Sequence, residues 1–375
     1  MFVAWRDLRA ARGRFALLAA VVALVTLLVG SLTGLTAGLA AQNTSALLGL
    51  DADAVVLARP SGAGGGSGEL TFADSAVTGA QQSAWASAAG VTGAWPLGVS
   101  QTRAARQTSS GQTSSGQTSS GQTSAAVSVL GADPGLAATA PRSRGAVVLS
   151  EPAADELGAR TGDPVELGGQ RFTVAAVSGD GWYSHTPVVW TTFSDWQQLS
   201  RAAGGSGDAS ALVVRGHLDG DQRAALDAST GTTATTLLGS LGAIGAFRSE
   251  VGSLALIIGL LLVVSALVVG AFFTVWTLQR TADVAVLKAL GASTRTLVVD
   301  ALGQGTAVLV GGVAAGTAAV VALGLAAGTA VPFVLSPLTA LAPSALVVLL
   351  GLAGVLAALR AITSADPLTA LGSIR

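Results

Sequence analysis

The sequence predicts a helical membrane protein in which four transmembrane helices carry one large α+β domain between the first and the second helix. Three observations predict this fold class. Half of the 375 residues are hydrophobic and only 11% are charged, against roughly 25% charged residues in soluble domains. Uncharged apolar stretches long enough to cross a bilayer lie near both ends of the chain. The segment between them, residues 42–249, has the strand and short-helix patterns of a folded extracytoplasmic domain.

The first apolar stretch, residues 15–41, contains no charged side chain. As a helix it would span ~40 Å at 1.5 Å per residue, more than the ~30 Å hydrocarbon core of a bilayer. The basic segment 1–14 that precedes it is also typical of a secretory signal peptide, but the apolar part of such a peptide is only about 7–15 residues long. We therefore predict an uncleaved first span.

The remaining apolar stretches predict three further spans. Residues 250–278 form the second span and carry one charged residue, Glu250, at the start. The apolar stretch that begins at residue 297 is too long for one helix and contains three prolines, Pro332, Pro337 and Pro343. Because proline interrupts helices, we predict a third span at 297–329, a fourth at 344–360, and a short outer loop at 330–343 between them.

The distribution of charge predicts the orientation. Basic residues outnumber acidic ones in segment 1–14, in the 279–296 loop and in the tail that starts at Arg360, whereas acidic residues outnumber basic ones in the 42–249 domain. Short loops rich in arginine and lysine remain in the cytoplasm. We therefore expect a multi-pass protein of the plasma membrane, its spans in contact with lipid. Both termini, including the 361–375 tail, are expected in the cytoplasm and the large domain outside.

The extracytoplasmic domain shows several local patterns. A helix is predicted at 74–89, with Asp74 or Ser75 near its N-cap. Residues 107–124 repeat a five-residue Gln-Thr-Ser-Ser-Gly unit, whose polar composition predicts a flexible loop insertion without a function of its own. Residues 145–177 predict a strand, a short helix, a strand, a Gly-Gly turn and another strand. Further strands are predicted at 52–58, 94–100, 126–130 and 187–191, and a second short helix near 195–202.

The composition excludes several classes of chemistry. The chain has no cysteine, which excludes disulfides, thiolate metal sites and cysteine nucleophiles. It contains two histidines, His185 and His217, one tyrosine and one lysine, and no HExxH, paired-carboxylate or Ser/His/Asp motif. The net charge of -1 gives no electrostatic support for a nucleic-acid partner. We predict a non-catalytic chain without a metal or cofactor of its own.

Two patterns predict contacts between helices. Gly30, Gly34 and Gly38 recur every four residues in the first span, a spacing that lets helix backbones approach closely in lipid. The contact is expected either within the chain or with a second copy.

In the 279–296 loop, Thr281 is placed to begin a short helix and Gly291 to end it. Such a helix can dock in a partner's groove through apolar residues, with charged residues at the rim; the alternative is a plain interfacial helix. The residues concerned are Thr281, Val284, Leu287, Lys288, Leu290, Gly291 and Arg295.

Three stretches resemble one known family, the FtsX-like and MacB-like permeases of ABC transporters. Residues 278–310, LQRTADVAVLKALGASTRTLVVDALGQGTAVLV, are similar to its membrane signature, residues 145–177 to its outer core domain, and residues 365–371 to its usual C-terminal ending. Within the family, the N-terminal stretch and the GDGWYSHTPVVWTT stretch at 179–192 look most like haem-exporter permeases of the HrtB type and DevC-type permeases.

The resemblance implies a homodimer that works with two copies of a separate cytosolic ATPase, which holds the ATP and Mg. The absence of a GxxxxGK[ST] motif in this sequence is consistent with a separate motor. Motion would pass through the spans to the outer domains and export a small amphiphile, haem first among the candidates. Alternatives are a drug, lipid or glycolipid as cargo, FtsX-like control of an extracellular cell-wall hydrolase, and a membrane enzyme, for which no motif is present.

Three residues are candidate substrate contacts. Histidine and tyrosine both ligate haem iron, and the alternation of a strand would place Tyr183 and His185 on one face. Glu250 starts the second span, where a carboxylate is costly and often functional. Each has a structural alternative: a hydrogen-bonding role for His185 and Tyr183, and an ion pair with Arg248 for Glu250.

Overall fold

In the computed structural model, the described residues are 12–59, 69–109, 120–279, 293–327 and 331–363. They form two compact units, divided after Gly38 and after Glu250. Residues 39–250 are called the lobe here. The described residues before and after the lobe are called the membrane unit.

All ten described strands lie in the lobe, and the longest helices precede and follow it along the chain. The helices are α1 (Arg12–Leu48), α2 (Gly79–Ala86), α3 (Glu151–Leu157), α4 (Phe193–Ala202), α5 (Gly220–Thr230), α6 (Leu237–Ser240), α7 (Gly245–Gln279), α8 (Thr294–Ala327) and α9 (Pro337–Thr363), with a 3-10 turn at Leu241–Ala243. The strands are β1 (Ala54–Ala58), β2 (Val91–Ser109), β3 (Ser120–Gly131), β4 (Ala146–Leu149), β5 (Pro164–Leu167), β6 (Gln170–Val177), β7 (Trp182–Tyr183), β8 (Thr186–Thr191), β9 (Ala211–Gly216) and β10 (Thr232–Thr235).

Four of the described helices, α1, α7, α8 and α9, are long and apolar enough to cross a membrane. The predicted fold class, four spans with a large α/β domain after the first, is confirmed. The bounds of two helices differ from the prediction at the ends that belong to the lobe. Helix α1 continues to Leu48 and helix α7 begins at Gly245, and these extensions belong to the lobe.

The fourth span starts earlier than predicted. Helix α9 begins at Pro337 and contains Pro343, so the predicted break at Pro343 is wrong. The Oγ of Ser336 accepts the N–H of Thr339 at 3.1 Å, which caps the helix, and Pro337 then occupies the first turn, where no N–H is needed. Membrane helices tolerate an internal proline such as Pro343 because nearby groups satisfy the freed backbone atoms.

Glycines allow the helices of the membrane unit to pack at short distance. A Cβ atom built on Gly312 would lie 2.8 Å from the carbonyl oxygen of Ala19, so α8 touches the backbone of α1. A Cβ on Gly30 would lie 2.7 Å from a methyl group of Val320. Those on Gly34 and Gly38 would overlap the segment before α9, namely the Phe333 ring and the Pro332 carbonyl oxygen. The structure places all three predicted glycines of α1 in contacts within the chain.

Strand β2 organises the lobe because its two halves pair with different strands. Its first half, Val91–Leu97, pairs with β9, and its second half, Gly98–Ser109, pairs with β3. The strand order is β10-β1-β9-β2-β3-β8-β4-β6-β5. Strand β5 also pairs back onto β2, at Ala104↔Leu167, so β2, β3, β8, β4, β6 and β5 close on themselves. The closed part is filled by buried side chains that include Val127, Leu149, Leu157, Phe172 and Trp196.

Most of the predicted lobe elements are present, with two corrections. Helix α2 begins after Thr78 rather than near Asp74, because Thr78 and Gln81 form a reciprocal capping box. Asp74 instead accepts a hydrogen bond from Thr71. The repeat at 107–124 is not entirely loop. Its two ends extend β2 and β3 as far as the pair Ser109↔Ser120, since threonine is a good strand residue; residues 110–119 are outside the described residues.

Sequence reasoning missed the end of the lobe. Strand β9, helix α5 and strand β10 received no prediction. A signal for α5 was present, because Asp219 and Gln222 form a second capping box at its start. The short strand β10, Thr-Thr-Ala-Thr, has no apolar alternation and pairs at the sheet edge with β1, so its sequence alone carries little information.

Candidate functional site

The ends of two apolar helices help to fill the core of the lobe. From the end of α1 come Leu47, 1% exposed, and Leu50 just after it. From the start of α7 and the residue before it come Phe247 and Ile244, which join the same cluster of apolar side chains. The lobe is therefore built around the ends of the same helices whose continuations are long and apolar enough to cross a membrane.

A strained turn lies against the end of α1. Strands β7 and β8 pair at Tyr183↔Thr186, which leaves Ser184 and His185 as a two-residue turn. Both have positive φ, 48° and 64°, as in a type I′ turn, where Asn-Gly is the usual sequence. Holding a residue other than glycine in this region costs about 1–3 kcal/mol, so surrounding contacts must stabilise the turn.

Backbone hydrogen bonds attach this turn to α1. The N–H of Ser184 donates to the carbonyl oxygen of Asn43 at 3.2 Å, and the N–H of His185 donates to that of Gln42 at 3.1 Å. The N–H of Trp182 donates to the Oγ of Ser45 at 2.9 Å. Three backbone donors of the β7–β8 hairpin thus find acceptors on one helix, which holds the backbone of the turn against α1.

Asn43, His185 and Glu250 form a hydrogen-bonded group that we call the polar cluster. The Nε2 atom of His185 lies 2.9 Å from Oε1 and 2.8 Å from Oε2 of Glu250. The Nδ2 atom of Asn43 lies 3.3 Å from Oε2 of Glu250 and donates to the carbonyl oxygen of Leu39 at 3.0 Å. Asn43 is fully buried, whereas the side chains of His185 and Glu250 are 32% and 36% exposed.

The hydrogen bonds of the cluster indicate which ring nitrogen of His185 carries a proton. Asn43 Nδ2 also lies 3.1 Å from His185 Nε2, but Nε2 cannot accept from Asn43 while it donates to Glu250. The two short contacts to the carboxylate favour a proton on Nε2, because charge-assisted hydrogen bonds are the stronger ones. Glu250 then accepts from both His185 and Asn43, and the cluster joins α1, α7 and the β7–β8 turn.

The structure separates Tyr183 from the other two candidate substrate residues, His185 and Glu250. The prediction that Tyr183 and His185 share a strand face is wrong, because the chain turns between them. Tyr183 packs edge to face on Phe72, with ring centroids 6.1 Å apart, and burial raises the pKa of its phenol. It is a core residue of the lobe. His185 and Glu250 are brought together. Arg248, considered as a partner for Glu250, forms an ion pair with Glu69.

Sequence reasoning missed Asn43, the third member of the polar cluster. It lies in an Ala- and Leu-rich helix end with no motif around it, and its partners are 142 and 207 residues away along the chain. The only available signal was a carboxamide next to an apolar span. Such a signal does not reveal which distant side chains it binds.

The predicted docking loop is largely outside the described residues. This applies to Thr281, Val284, Leu287, Lys288, Leu290 and Gly291. Arg295 is described and is exposed in the first turn of α8. Ser293 caps that helix, since its Oγ accepts the N–H of Thr296 at 3.2 Å. In the part of the chain that the structure describes, no three His, Cys, Asp or Glu side chains converge.

The lobe also contains a cleft of about 500 Å³ next to the end of α1, with Leu50, Trp190 and Arg215 among its lining residues. The Arg215 guanidinium lies 4.8 Å from the centre of the Trp95 ring, and its Nε donates to the carbonyl oxygen of Asp51 at 2.6 Å. Those contacts already engage the guanidinium. The polar cluster contains two of the three residues that the sequence singled out as substrate contacts, and it is the better candidate for a functional site.

Comparisons with known proteins agree on the architecture. Residues 15–232 match the profile of the MacB-like periplasmic core domain, and residues 255–367 match that of the FtsX-like permease C-terminal domain. Similar curated proteins include the putative hemin transport system permease protein HrtB of Staphylococcus haemolyticus (strain JCSC1435), 22% identical over 217 residues. That match covers 57% of this chain and 60% of the relative. The HrtB protein of Staphylococcus epidermidis (strain ATCC 12228 / FDA PCI 1200) is 25% identical over 138 residues, 36% of this chain and 37% of the relative.

Two solved structures are similar to about half of the chain. The extracellular domain of the noncanonic ABC-type transporter YknZ from Gram-positive bacteria matches with a TM-score of 0.32 and 14% identity, over 48% of this chain and 98% of that domain. The periplasmic region of MacB from Actinobacillus actinomycetemcomitans matches with a TM-score of 0.35 and 12% identity, over 52% of this chain and 94% of that region.

Proposed function

The chain belongs to the family of membrane permeases with a MacB-like periplasmic core domain and an FtsX-like C-terminal permease domain, and we propose that it is the transmembrane subunit of an ABC transporter. In this proposal the chain itself catalyses no reaction. A separate cytosolic ATPase supplies the energy, and two copies of the chain act with two copies of that ATPase.

One observation carries the mechanism. Helices α1 and α7 are each continuous from their apolar windows to their ends in the lobe, where Leu47 and Phe247 pack in one apolar cluster. A helix end that is part of a packed core transmits displacement, because protein interiors are dense and compress little. Movement of these two helices, started by the ATPase on the cytoplasmic side, would therefore act on the lobe outside.

Haem is the proposed cargo. The curated relatives carry the name of a hemin transport permease, although the chain spans only about 60% of the length of the first of them. The chemistry of the polar cluster supports the same cargo, since the Glu250 carboxylate is a possible ligand for iron. Glu250 lies in the second turn of α7, the second apolar helix, where an amphiphile arriving from the lipid would meet a carboxylate.

The test is ATPase stimulation in the purified complex. With the chain and its ATPase in lipid nanodiscs, ferric haem is expected to stimulate ATP hydrolysis, and Glu250→Ala is expected to remove this stimulation while basal hydrolysis remains. Glu69→Ala is the matched control, because it removes a neighbouring carboxylate that pairs with Arg248 outside the polar cluster. A catalytically inactive ATPase gives the background rate.

The outcomes separate the parts of the proposal. Stimulation by another amphiphile and not by haem would reject haem as cargo and leave the transporter assignment in place. Stimulation by neither, together with activation of a cell-wall hydrolase by the complex, would reject transport and favour the regulatory role that FtsX-like proteins can have.

A further inference from the structure

We propose that the polar cluster is a latch, closed in this structure, that a ligand with a Lewis-acidic metal centre opens by binding the Glu250 carboxylate. In the closed state the Nε2 atom of His185 lies within hydrogen-bond distance of both carboxylate oxygens of Glu250. When a metal centre takes that carboxylate, His185 loses its acceptor and the β7–β8 turn is released from α1 and α7. The choice of ligand, the ferric iron of a metalloporphyrin, rests on the proposed function; the existence of the latch does not.

One side of the Glu250 carboxylate cannot hold both His185 and a chelated metal ion. Both oxygens of Glu250 lie within 2.9 Å of His185 Nε2, and Asn43 Nδ2 lies 3.3 Å from one of them. Because Nε2 lies at nearly the same distance from both oxygens, it occupies the side of the carboxylate on which a metal ion chelated by both oxygens would bind. In the opening step an iron–oxygen bond forms, the Nε2–H···O bond breaks, the imidazole keeps its proton, and no electron is transferred.

The β7–β8 turn depends on its contacts with α1 and α7. Ser184 and His185 both hold positive φ without glycine at either position, a conformation that persists only when the surroundings stabilise it. Two of the stabilising contacts are backbone donors to Gln42 and Asn43 on α1, and a third is the side-chain pair with Glu250 on α7. Loss of that pair leaves a strained turn with fewer restraints.

The latch lies where three parts of the lobe meet. Its three members come from the end of α1, the start of α7 and the hairpin between β7 and β8. The hairpin continues into β8, which pairs with both β3 and β4 near the middle of the strand order. A change at Glu250 therefore reaches the centre of the sheet through a single turn, and the latch would report ligand binding to the lobe.

Hydrogen exchange of the full chain in nanodiscs, read by mass spectrometry, tests the latch. The amides of Ser184 and His185 are expected to be protected in the unmodified chain. Glu250→Ala is expected to speed their exchange by about tenfold or more, the effect of losing a charge-assisted hydrogen bond. Glu250→Gln, which keeps one acceptor oxygen, is expected to have a smaller effect. Glu69→Ala is expected to leave the exchange rates of these two amides unchanged. The amides of the Gly168–Gly169 turn are expected to exchange at the same rate in every variant.

The same hydrogen-exchange measurement tests the ligand, with ferric protoporphyrin and metal-free protoporphyrin as probes. The ferric form is expected to speed exchange at Ser184 and His185 in the unmodified chain as much as Glu250→Ala does, and the metal-free form is expected to leave exchange unchanged. Equal effects of the two porphyrins would overturn the role of the metal. Unchanged exchange in Glu250→Ala would overturn the latch itself, even if haem stimulated the ATPase, whereas fast exchange in that variant with no stimulation by haem would overturn only the cargo.

Discussion

Replacing Leu287 with aspartate is expected to weaken binding of the chain to its ATPase by more than tenfold, and to reduce export accordingly. In the helix predicted over residues 282–290, Leu287 belongs to the apolar face, together with Val284 and Leu290. Helix-in-groove docking depends on such anchors, and truncating or charging one central anchor commonly costs at least about 2 kcal/mol. At ~1.4 kcal/mol per tenfold change in affinity, binding would weaken by more than tenfold.

The measurement is the amount of ATPase that co-purifies with the tagged chain from membranes. Ala285→Asp is the matched control, since it places the same charge on the opposite side of the predicted helix, where the complex is expected to form normally. Both variants should insert into the membrane to the same extent. A Leu287→Asp chain that retains a full complement of ATPase would reject this helix as the docking element.

Gly316→Ala is expected to disrupt the packing of α1 on α8. A Cβ atom at this position would lie 2.5 Å from the carbonyl oxygen of Ala23 and 2.6 Å from Cβ of Thr26. Neither atom can rotate away, because one is backbone and the other is fixed to it, so the two helices must separate. Overpacking of this kind costs about 1–3 kcal/mol, and in lipid close backbone contact is itself a main source of helix association.

The control for this substitution lies on the same helix. A Cβ at Gly311 would meet no atom within 4 Å, so Gly311→Ala is expected to be neutral or to stabilise the helix by up to ~1 kcal/mol through its higher helix propensity. Thermal unfolding of the two variants in detergent, followed by the loss of the monodisperse species on size exclusion, gives the comparison. Equal midpoints would show that the glycine contact does not contribute to stability.

The membrane part of the fold was largely readable from the sequence. Long uncharged stretches determine spans directly, because a bilayer demands a minimum apolar length. The strand pair at 164–177 was equally clear, since Gly168 and Gly169 supply the two positive φ values that its tight turn needs. Pro343 misled the prediction because proline is a strong helix breaker in water but is tolerated in membrane helices.

The candidate site was harder to predict. The Ser184-His185 turn has the geometry that glycine normally provides, so its residues gave no turn signal, and strand alternation was extended across it in error. The contacts of His185 with Asn43 and Glu250 join segments 142 and 65 residues apart. Local patterns contain no information about such contacts. Only the unusual position of Glu250 at the start of an apolar span pointed to this place in the molecule.

The central claim is that the chain transmits force between a cytosolic ATPase and a lobe on the other side of the membrane. Because the natural sequence has no cysteine, single-cysteine variants can be labelled without background. Ala224→Cys lies at an exposed position of the lobe, and Ser293→Cys at an exposed position just before α8. In intact cells a membrane-impermeant maleimide is expected to label Ala224→Cys at once and Ser293→Cys only after permeabilisation. Labelling of both positions from the same side would contradict the account.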